Sequence, residues 1–535
     1  MARIEGWLAG LAPRWVAMLL VVLTLCTALP GFFTLPPVDR DEARFAQSSR
    51  QMAESGDLLD IRFQDGTRYK KPVGIYWLQS AAVWAAGGDD QAIWKYRLPS
   101  LVAAVAAALM TAALARGFGG SGLVAGLAMA GCVMLGIEAR LAKTDAVLLL
   151  TVLAAQLPLA RAWRGEGLGW GGVALFWGAL AASMLVKGPI GPMVTGLCVL
   201  ALVVAGRRAG WLAALRPVVG VVILVALVVP WYAAITLKSG SAFWAEALGR
   251  DLLGKVAEAQ ESHGAPPGSY LAALWLTFFP GAMVLAACLP AIWRARAMPG
   301  ITFALCWAVP GWLVFEAAPT KLIHYTLPFY PALALMLALV WPGVAGALRG
   351  WPRGAAVVVL ALPVLALAGL AAGAAPLGGM PWGMLALGLG LLAATGGVAL
   401  AALWRGLPHL TLVAGALAGA GFLGAGFGML ERVPALWPAP AVAAALRADA
   451  TCPAPLLYTT RLNEPSLIFL APGPVRWVSP QEAAAALDMP CARALVDGRE
   501  AEAFAAAAGP VRALARVQGI NIGNGQRLDL TLWAR

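Results

Sequence analysis

The chain has 535 residues, 60% of them hydrophobic and only 12% charged, with a mean hydropathy of +0.76. A soluble protein of this length has no way to hide that much apolar surface, so an ordinary soluble globular fold is excluded. The net charge of +12 does not point to nucleic acid, because basic residues in such a chain collect in the loops that stay on the cytoplasmic side.

Apolar runs of spanning length recur near residues 15–33, 98–116, 121–137, 143–162, 170–186, 189–206, 213–236, 270–293, 301–317, 322–341, 354–374, 380–403 and 410–430. These thirteen predict a polytopic α-helical membrane protein. The first run is long and lacks a clear small-x-small site after it, so it reads as a spanning helix rather than a cleaved signal. A further run, 73–87, has only about 15 residues and carries Gln79 and Ser80, so it reads as interfacial or re-entrant. With 73–87 not crossing and the N-terminus cytoplasmic, the cytoplasmic turns hold Arg116, Arg161, Arg164, Arg207, Arg208, Arg216, Arg294, Arg296, Arg349, Arg353 and Arg405. That agrees with the positive-inside rule, and thirteen crossings put the C-terminus outside.

The first outer loop, 34–97, mixes both signs of charge. Residues 41–55 suit a short helix capped by Asp39, with Glu42 completing a capping box and Gly56 closing it. Phe45, Ser49 and Met52 share one face, which suits a helix lying in the interface. A second outer segment spans 237–269. Beyond residue 431 the chain changes character: LWPAPA (436–441) resembles a linker, short apolar runs such as LLYT and SLIFL follow, and PQEAAAAL opens a helix. This predicts a membrane domain, 1–431, and a small soluble α/β domain on the outer face, 432–535. Cysteines 26, 132, 198, 288 and 306 lie in apolar runs and read as packing residues, whereas Cys452 and Cys491 fall in the outer domain, where an oxidising compartment would let them pair.

DRDEARFAQSSRQMAESGD (39–57) followed by RYKKPVGIYWLQ (68–79) resembles the first outer loop of the GT-C membrane glycosyltransferases, in particular the aminoarabinose-transferase-like branch related to protein O-mannosyltransferases. Asp41, Glu42, Arg44 and Phe45; Met52, Gly56 and Asp57; Tyr69, Lys71 and Pro72; and Tyr76, Trp77 and Leu78 fall in that loop's order. WKYRLPS (94–100), ARLAKTD (139–145), LVKGPIGP (185–192), ESHGAPPGSY (261–270) and KLIHYTLPFYP (321–331) extend the resemblance through most of the membrane region. It implies transfer of a sugar from a polyprenyl-phosphate donor, with inversion, to an acceptor on the outer face of a bacterial inner membrane. Lipid A or core lipopolysaccharide is the first acceptor implied, and protein hydroxyls are the alternative. No G-x-x-x-x-G-K-[ST] or G-x-G-x-x-G occurs in the right context, so a nucleotide sugar is not the expected direct donor.

Such chemistry needs cations for the phosphate, where charge builds in the transition state, and a group to align or deprotonate the acceptor. By match to the family, Asp41 is the first acidic candidate and Asp145, in the Thr-Asp of ARLAKTD, the second. Glu42, beside Asp41, is the third catalytic candidate. The bland reading of Asp145 is a salt bridge to Arg140 or Lys143. For the phosphate the candidates are Lys71 first, with Arg44, Lys70, Arg250, Lys321 and Tyr325. Lys187, His324 and Lys255 sit at outer helix ends or in outer loops as well. Each reads equally as an interfacial anchor. His263 is a weak candidate for a divalent metal, disfavoured because Lys70 stands where the family usually carries Glu. The same exchange fits a more anionic donor sugar, such as a uronic acid. The competing class is a transporter or flippase of lipid-linked sugars, but no half-to-half repeat is evident and the charges cluster at one face.

Overall fold

The computed structural model describes residues 1–535 apart from Asp39, Asp89, Asp90 and 254–263, and apart from the side chains of 251–253. The expected Asp39 cap, Lys255 and His263 therefore lie outside the described residues.

The chain is a multi-pass helical membrane protein with a small C-terminal sheet region. Among the described residues nine helices are long and apolar enough to cross a membrane, or up to twelve if each of three bent pairs is one span. Helices or bent pairs fill all thirteen apolar runs of the sequence. They begin with α1 (Ala2–Ala9), bent by 112° against α2 (Pro13–Ala28). The first outer loop follows. It contains α3 (Arg40–Ser55), the small hairpin β1 (Arg62–Phe63) and β2 (Gly66–Thr67), and α4 (Gly74–Ala85). The chain then runs through α5 (Ile93–Gly117), the bent pair α6 (Gly122–Ala130) and α7 (Val133–Ala139), α8 (Asp145–Trp163), α9 (Trp170–Lys187), α10 (Ile190–Gly206) and α11 (Pro217–Ser239). Later helices include Pro299–Ala317 and Tyr330–Val344, and the last long one ends at Glu431.

Several turns follow from local chemistry. α3 ends where Gly56, at φ +70°, returns its N–H to the Met52 carbonyl. α9 ends at Lys187 because Gly188 takes φ +64° and Pro189 cannot continue the hydrogen-bond ladder. α4 has 12 residues, well under the roughly 20 that a straight crossing requires. The face of α3 expected to meet lipid instead packs on protein. The Phe45 ring lies 5.5 Å from that of Tyr76, and Ser49 Oγ donates to Gln79 Oε1 at 2.6 Å.

Beyond residue 431, β3 (Leu456–Thr459), β4 (Val475–Trp477), β5 (Ala492–Asp497), β6 (Arg512–Ile520) and β7 (Arg527–Ala534) form one sheet in the order β4-β3-β5-β7-β6. β3 pairs parallel with β4 and β5, and β7 runs antiparallel to β5 and β6. PQEAAAAL does open a helix, Pro480–Ala486, with a complete Ser479–Glu482 capping box. Cys452 and Cys491 form a disulfide, their Cα atoms 5.5 Å apart. The sheet region is anchored on the first loop. Phe469, fully buried, packs edge-on to Tyr96 at 5.4 Å, while Gln64 and Gln91 donate to the carbonyls of Val475 and Ala471.

Candidate functional site

The start of α3 is held by a buried ion pair. Glu42 and Arg97 are both 0% exposed, with Arg97 Nε 2.8 Å from Glu42 Oε1. Val38 and Ala142 N–H groups, each at 2.9 Å, donate to the same carboxylate. Arg97 also donates to the carbonyls of Phe32, Leu35 and Pro36. The end of α2, the start of α3, α5 and the approach to α8 are thus pinned to one carboxylate. Glu42 consequently faces inward, whereas its neighbour Asp41 faces a cavity.

That cavity measures about 750 Å³ and lies between the first loop and the sheet region. Asp41, Arg44, Arg68, Lys70, Lys71 and Arg250 line it, as do Glu246, Thr320 and His324. The sheet region supplies Glu464, Ser466 and Asn521. The Asp41 side chain is 48% exposed, but toward this enclosure. Arg44 approaches it at 3.5 Å and Arg68 at 3.7 Å. Burial pushes the Asp41 carboxyl up, yet Arg68, Arg44, Lys143 and Lys71 outweigh that, and the group is held below its ordinary value of 3.8. Arg68, itself buried, donates to Tyr76 Oη and lies 4.5 Å over the Phe45 ring. Across the cavity, burial raises Glu464 above the usual glutamate value, against the opposing charge of Arg40 at 3.5 Å.

A second, more apolar cavity of about 130 Å³ adjoins the first. Lys70, Lys71 and Thr320 line both. Its other walls include Asp145, Lys187, Tyr325, Tyr232, Phe243 and Trp244. Asp145 begins α8 and Lys187 ends α9, and the two form an ion pair. Lys143, foreseen as a partner of Asp145, acts on it by charge, but the hydrogen-bonded ion pair is with Lys187. Lys143 pairs with Glu138 at 3.3 Å, and Arg140 donates to the carbonyls of Thr27 and Ala28 beneath the last long helix, over the Phe427 ring. His324 bridges the acids, with Nδ1 3.6 Å from Glu138 and Nε2 3.6 Å from Asp145. The Lys187 ammonium lies 5.1 Å from the Tyr325 ring centroid.

The structure therefore brings Asp41, Arg44, Lys70, Lys71 and Arg250 to one cavity and Asp145 and Tyr325 to the adjoining one. It does not bring Lys321 to either. Lys321, 9% exposed as a residue, donates through its ammonium to the carbonyls of Glu316 and Ala318 and so caps the helix Pro299–Ala317. Among the described residues no group of three or more His, Cys, Asp or Glu side chains is placed to hold a metal. Sequence reasoning missed Arg68, Thr320, Glu464 and Asn521. Arg68 stood two residues before Lys70 in a quoted motif, whereas nothing local in the sequence marked the sheet-region residues as cavity walls.

Residues 70–233 match the family model described as dolichyl-phosphate-mannose-protein mannosyltransferase. The undecaprenyl phosphate-alpha-4-amino-4-deoxy-L-arabinose arabinosyl transferase of Edwardsiella ictaluri is 29% identical over 348 residues, 63% of this chain and 60% of that one. The protein of the same name from Pectobacterium carotovorum is also 29% identical, over 65% of this chain and 64% of its own length. The chain thus spans less than two thirds of the length of these relatives. Among solved structures, ArnT from Cupriavidus metallidurans bound to undecaprenyl phosphate superposes with a TM-score of 0.79 at 19% identity, covering 98% of both chains. The apo oligosaccharyltransferase of Archaeoglobus fulgidus does so at 0.54 and 10% identity, covering 91% of this chain and 70% of that one. The chain is similar in sequence to the aminoarabinose transferases over roughly two thirds of its length, and it has their GT-C membrane fold.

Proposed function

We propose that this chain is an inverting glycosyltransferase that moves a sugar from a polyprenyl-phosphate donor to an envelope acceptor, with lipid A or core lipopolysaccharide first. The observation that carries this is the pair of adjoining cavities sharing Lys70 and Lys71, with Asp145–Lys187 on one side and Asp41 on the other. A single displacement needs a leaving phosphate, an anomeric carbon and an acceptor oxygen in line, and two chambers joined by cations supply that arrangement. The smaller, apolar chamber takes the donor's phosphate and first isoprene units. Lys71 faces the phosphate, with Lys187 beyond it. The larger chamber takes the acceptor.

In the reaction the bond between the anomeric carbon and the phosphate oxygen breaks. Its electron pair leaves with the phosphate, and the acceptor oxygen bonds the opposite face of that carbon. If the acceptor is a hydroxyl, its proton passes to Asp41. If it is a phosphate, already ionised, Asp41 only orients it. Asp41 held ionised by Arg44 and Arg68 is ready for either role. Arg44, Arg68 and Arg250 hold the acceptor side electrostatically. Glu42 sets where Asp41 points and stays out of the chemistry. Lys321 acts on the fold alone. We take all thirteen apolar runs as crossing, which puts the N-terminus in the cytoplasm of a bacterial cell, the cavities and the 432–535 domain on the outer face of the inner membrane, and the 1–431 domain within it.

The test is mass spectrometry of envelope glycolipids from cells making the wild type or Asp41→Asn at matched protein levels. A sugar-sized mass on one lipid class only with the wild type supports transfer. A protein acceptor is the second reading, favoured by the mannosyltransferase family match. It predicts unchanged lipids and a changed glycoproteome. If neither changes, the transferase reading fails and a lipid-linked sugar transporter moves ahead.

A further inference from the structure

The larger cavity has two unlike walls. Arg44, Arg68, Lys70 and Lys71 of the first loop make one side cationic. The sheet region supplies the far side with Glu464, Ser466 and Asn521. The Asn521 amide donates to Glu464, whose carboxylate also lies 3.5 Å from Arg40. Asn521 Oδ1 accepts from Gly523 N–H at 2.8 Å. Gly523, in the β6–β7 turn, closes down so far that a Cβ there would lie 2.9 Å from Glu464 Oε1. Ser466 lines the cavity beside them, and its hydroxyl has no hydrogen-bond partner among the described residues. A carboxylate accepts hydrogen bonds, while a carboxamide and a hydroxyl both donate and accept. The vicinal hydroxyls of a sugar ring offer the matching mixture. A phosphate suits this wall poorly, because it presents acceptors and would be repelled by the Glu464 carboxylate. Trp437 and Pro438 give the same wall an apolar face for the C–H side of a ring. The two walls therefore sort an acceptor, drawing its anionic group to the first loop and its neutral polyhydroxyl part to the sheet region.

We infer that the sheet region reads the acceptor, and that Glu464, Ser466 and Asn521 form a subsite for the hydroxyl groups of an acceptor sugar ring. The acceptor is then a glycan-bearing lipid rather than a protein. This rests on the transferase reading above and chooses between its two acceptors. Glu464, Ser466 and Asn521 are specificity residues, which touch the acceptor away from the atoms that react.

The experiment is ligand binding by the full chain in lipid nanodiscs, with four probes. These are lipopolysaccharide truncated to lipid A and inner core, phosphatidic acid with matched acyl chains, a serine-rich peptide, and polyprenyl phosphate as the donor-side control. Wild type should bind the lipopolysaccharide at least about tenfold tighter than phosphatidic acid, which has phosphate and acyl chains but no sugar ring. Ser466→Ala should weaken lipopolysaccharide binding by about fivefold, the worth of one neutral hydrogen bond, and Glu464→Gln by about tenfold. Both should leave the affinities for phosphatidic acid and polyprenyl phosphate unchanged. Ser466→Ala removes no hydrogen bond among the described residues, so it keeps the comparison usable if Glu464→Gln loosens the sheet region. Wild type that binds polyprenyl phosphate but ranks lipopolysaccharide and phosphatidic acid equally, or prefers the peptide to both, overturns this inference alone. So does a Ser466→Ala protein that binds every probe like the wild type, or weakens them all equally. Failure to bind polyprenyl phosphate overturns the donor reading and this inference with it.

Discussion

Replacing Glu42 by Gln keeps the side chain's size and its oxygen facing Ala142 N–H, but removes the only carboxylate paired with Arg97 among the described residues. Both groups are fully buried, so the loss cannot be made good by water. Breaking a buried ion pair from one side costs about 3–5 kcal/mol, because the remaining charge is left uncompensated. Arg97 retains three carbonyl acceptors and Ala142 retains its partner, so the lower end, about 3 kcal/mol, is expected. The assay is unfolding by SDS titration in mixed micelles, run beside donor binding and transfer. Arg97→Met should cost a similar amount by stranding Glu42. The double change Glu42→Leu with Arg97→Met should be milder than either single, because an apolar pair has no buried charge to solvate. Transfer by Glu42→Gln should fall only as far as the folded population and the placement of Asp41 fall. A Glu42→Gln protein as stable as wild type but devoid of transfer would refute this reasoning and make Glu42 a chemical participant.

The two lysines first grouped as phosphate ligands should separate. Lys71→Ala should weaken polyprenyl-phosphate binding by about tenfold or more, the worth of one charge-assisted contact. Lys321→Ala should leave that affinity alone and lower stability by about 1 kcal/mol, as loss of a helix C-terminal partner does; isothermal titration and SDS unfolding read the two effects. Asp41, with its folded pKa below 3.8, contributes stability that is complete above about pH 4 and is lost as pH falls through the folded value; the wild type minus Asp41→Asn difference in unfolding midpoint should shrink with acid in that window and stay flat from pH 5 to 8. Reducing the Cys452–Cys491 bond, which closes a separation of 39 residues, should destabilise the sheet region by about 4 kcal/mol on the chain-entropy account while leaving the helical signal intact, as read by circular dichroism with and without reductant.

What the sequence displayed and what it concealed divide along a physical line. Features set by consecutive residues were legible: the apolar runs, the α3 helix ending at Gly56, the break between the runs 170–186 and 189–206, the helix opened by PQEAAAAL. Each is a local response of the backbone to side-chain chemistry. The family motifs likewise pointed to the residues that line the cavities, because the first loop carries most of them within one stretch. Ion-pair partners were not legible. Asp145 meets Lys187, 42 residues away, because two helix ends converge there; Arg140 donates instead to backbone carbonyls, and Lys143, which still acts on Asp145 by charge, pairs with Glu138. Lys321 looked like any outer lysine, since a cation that caps its own helix and one that waits for phosphate have the same sequence signature.

The opening DRDE illustrates the point within four residues. Asp41 and Glu42 are adjacent, equally acidic and matched to the same motif, yet α3 turns them about 100° apart. One is clamped by Arg97 and two backbone N–H groups with no exposed surface, and the other opens on a chamber whose far wall comes from residues more than 400 positions later. The buried pair makes the exposed one useful. In the proposed role, a carboxylate that orients an acceptor needs a fixed helix, and the Glu42–Arg97 pair, tied to three backbone carbonyls, ties the start of α3 to its surroundings. Charge in this loop serves two ends: Glu42 and Arg97 hold the backbone, while Arg40, Asp41, Arg44, Arg68, Lys70 and Lys71 line the cavity.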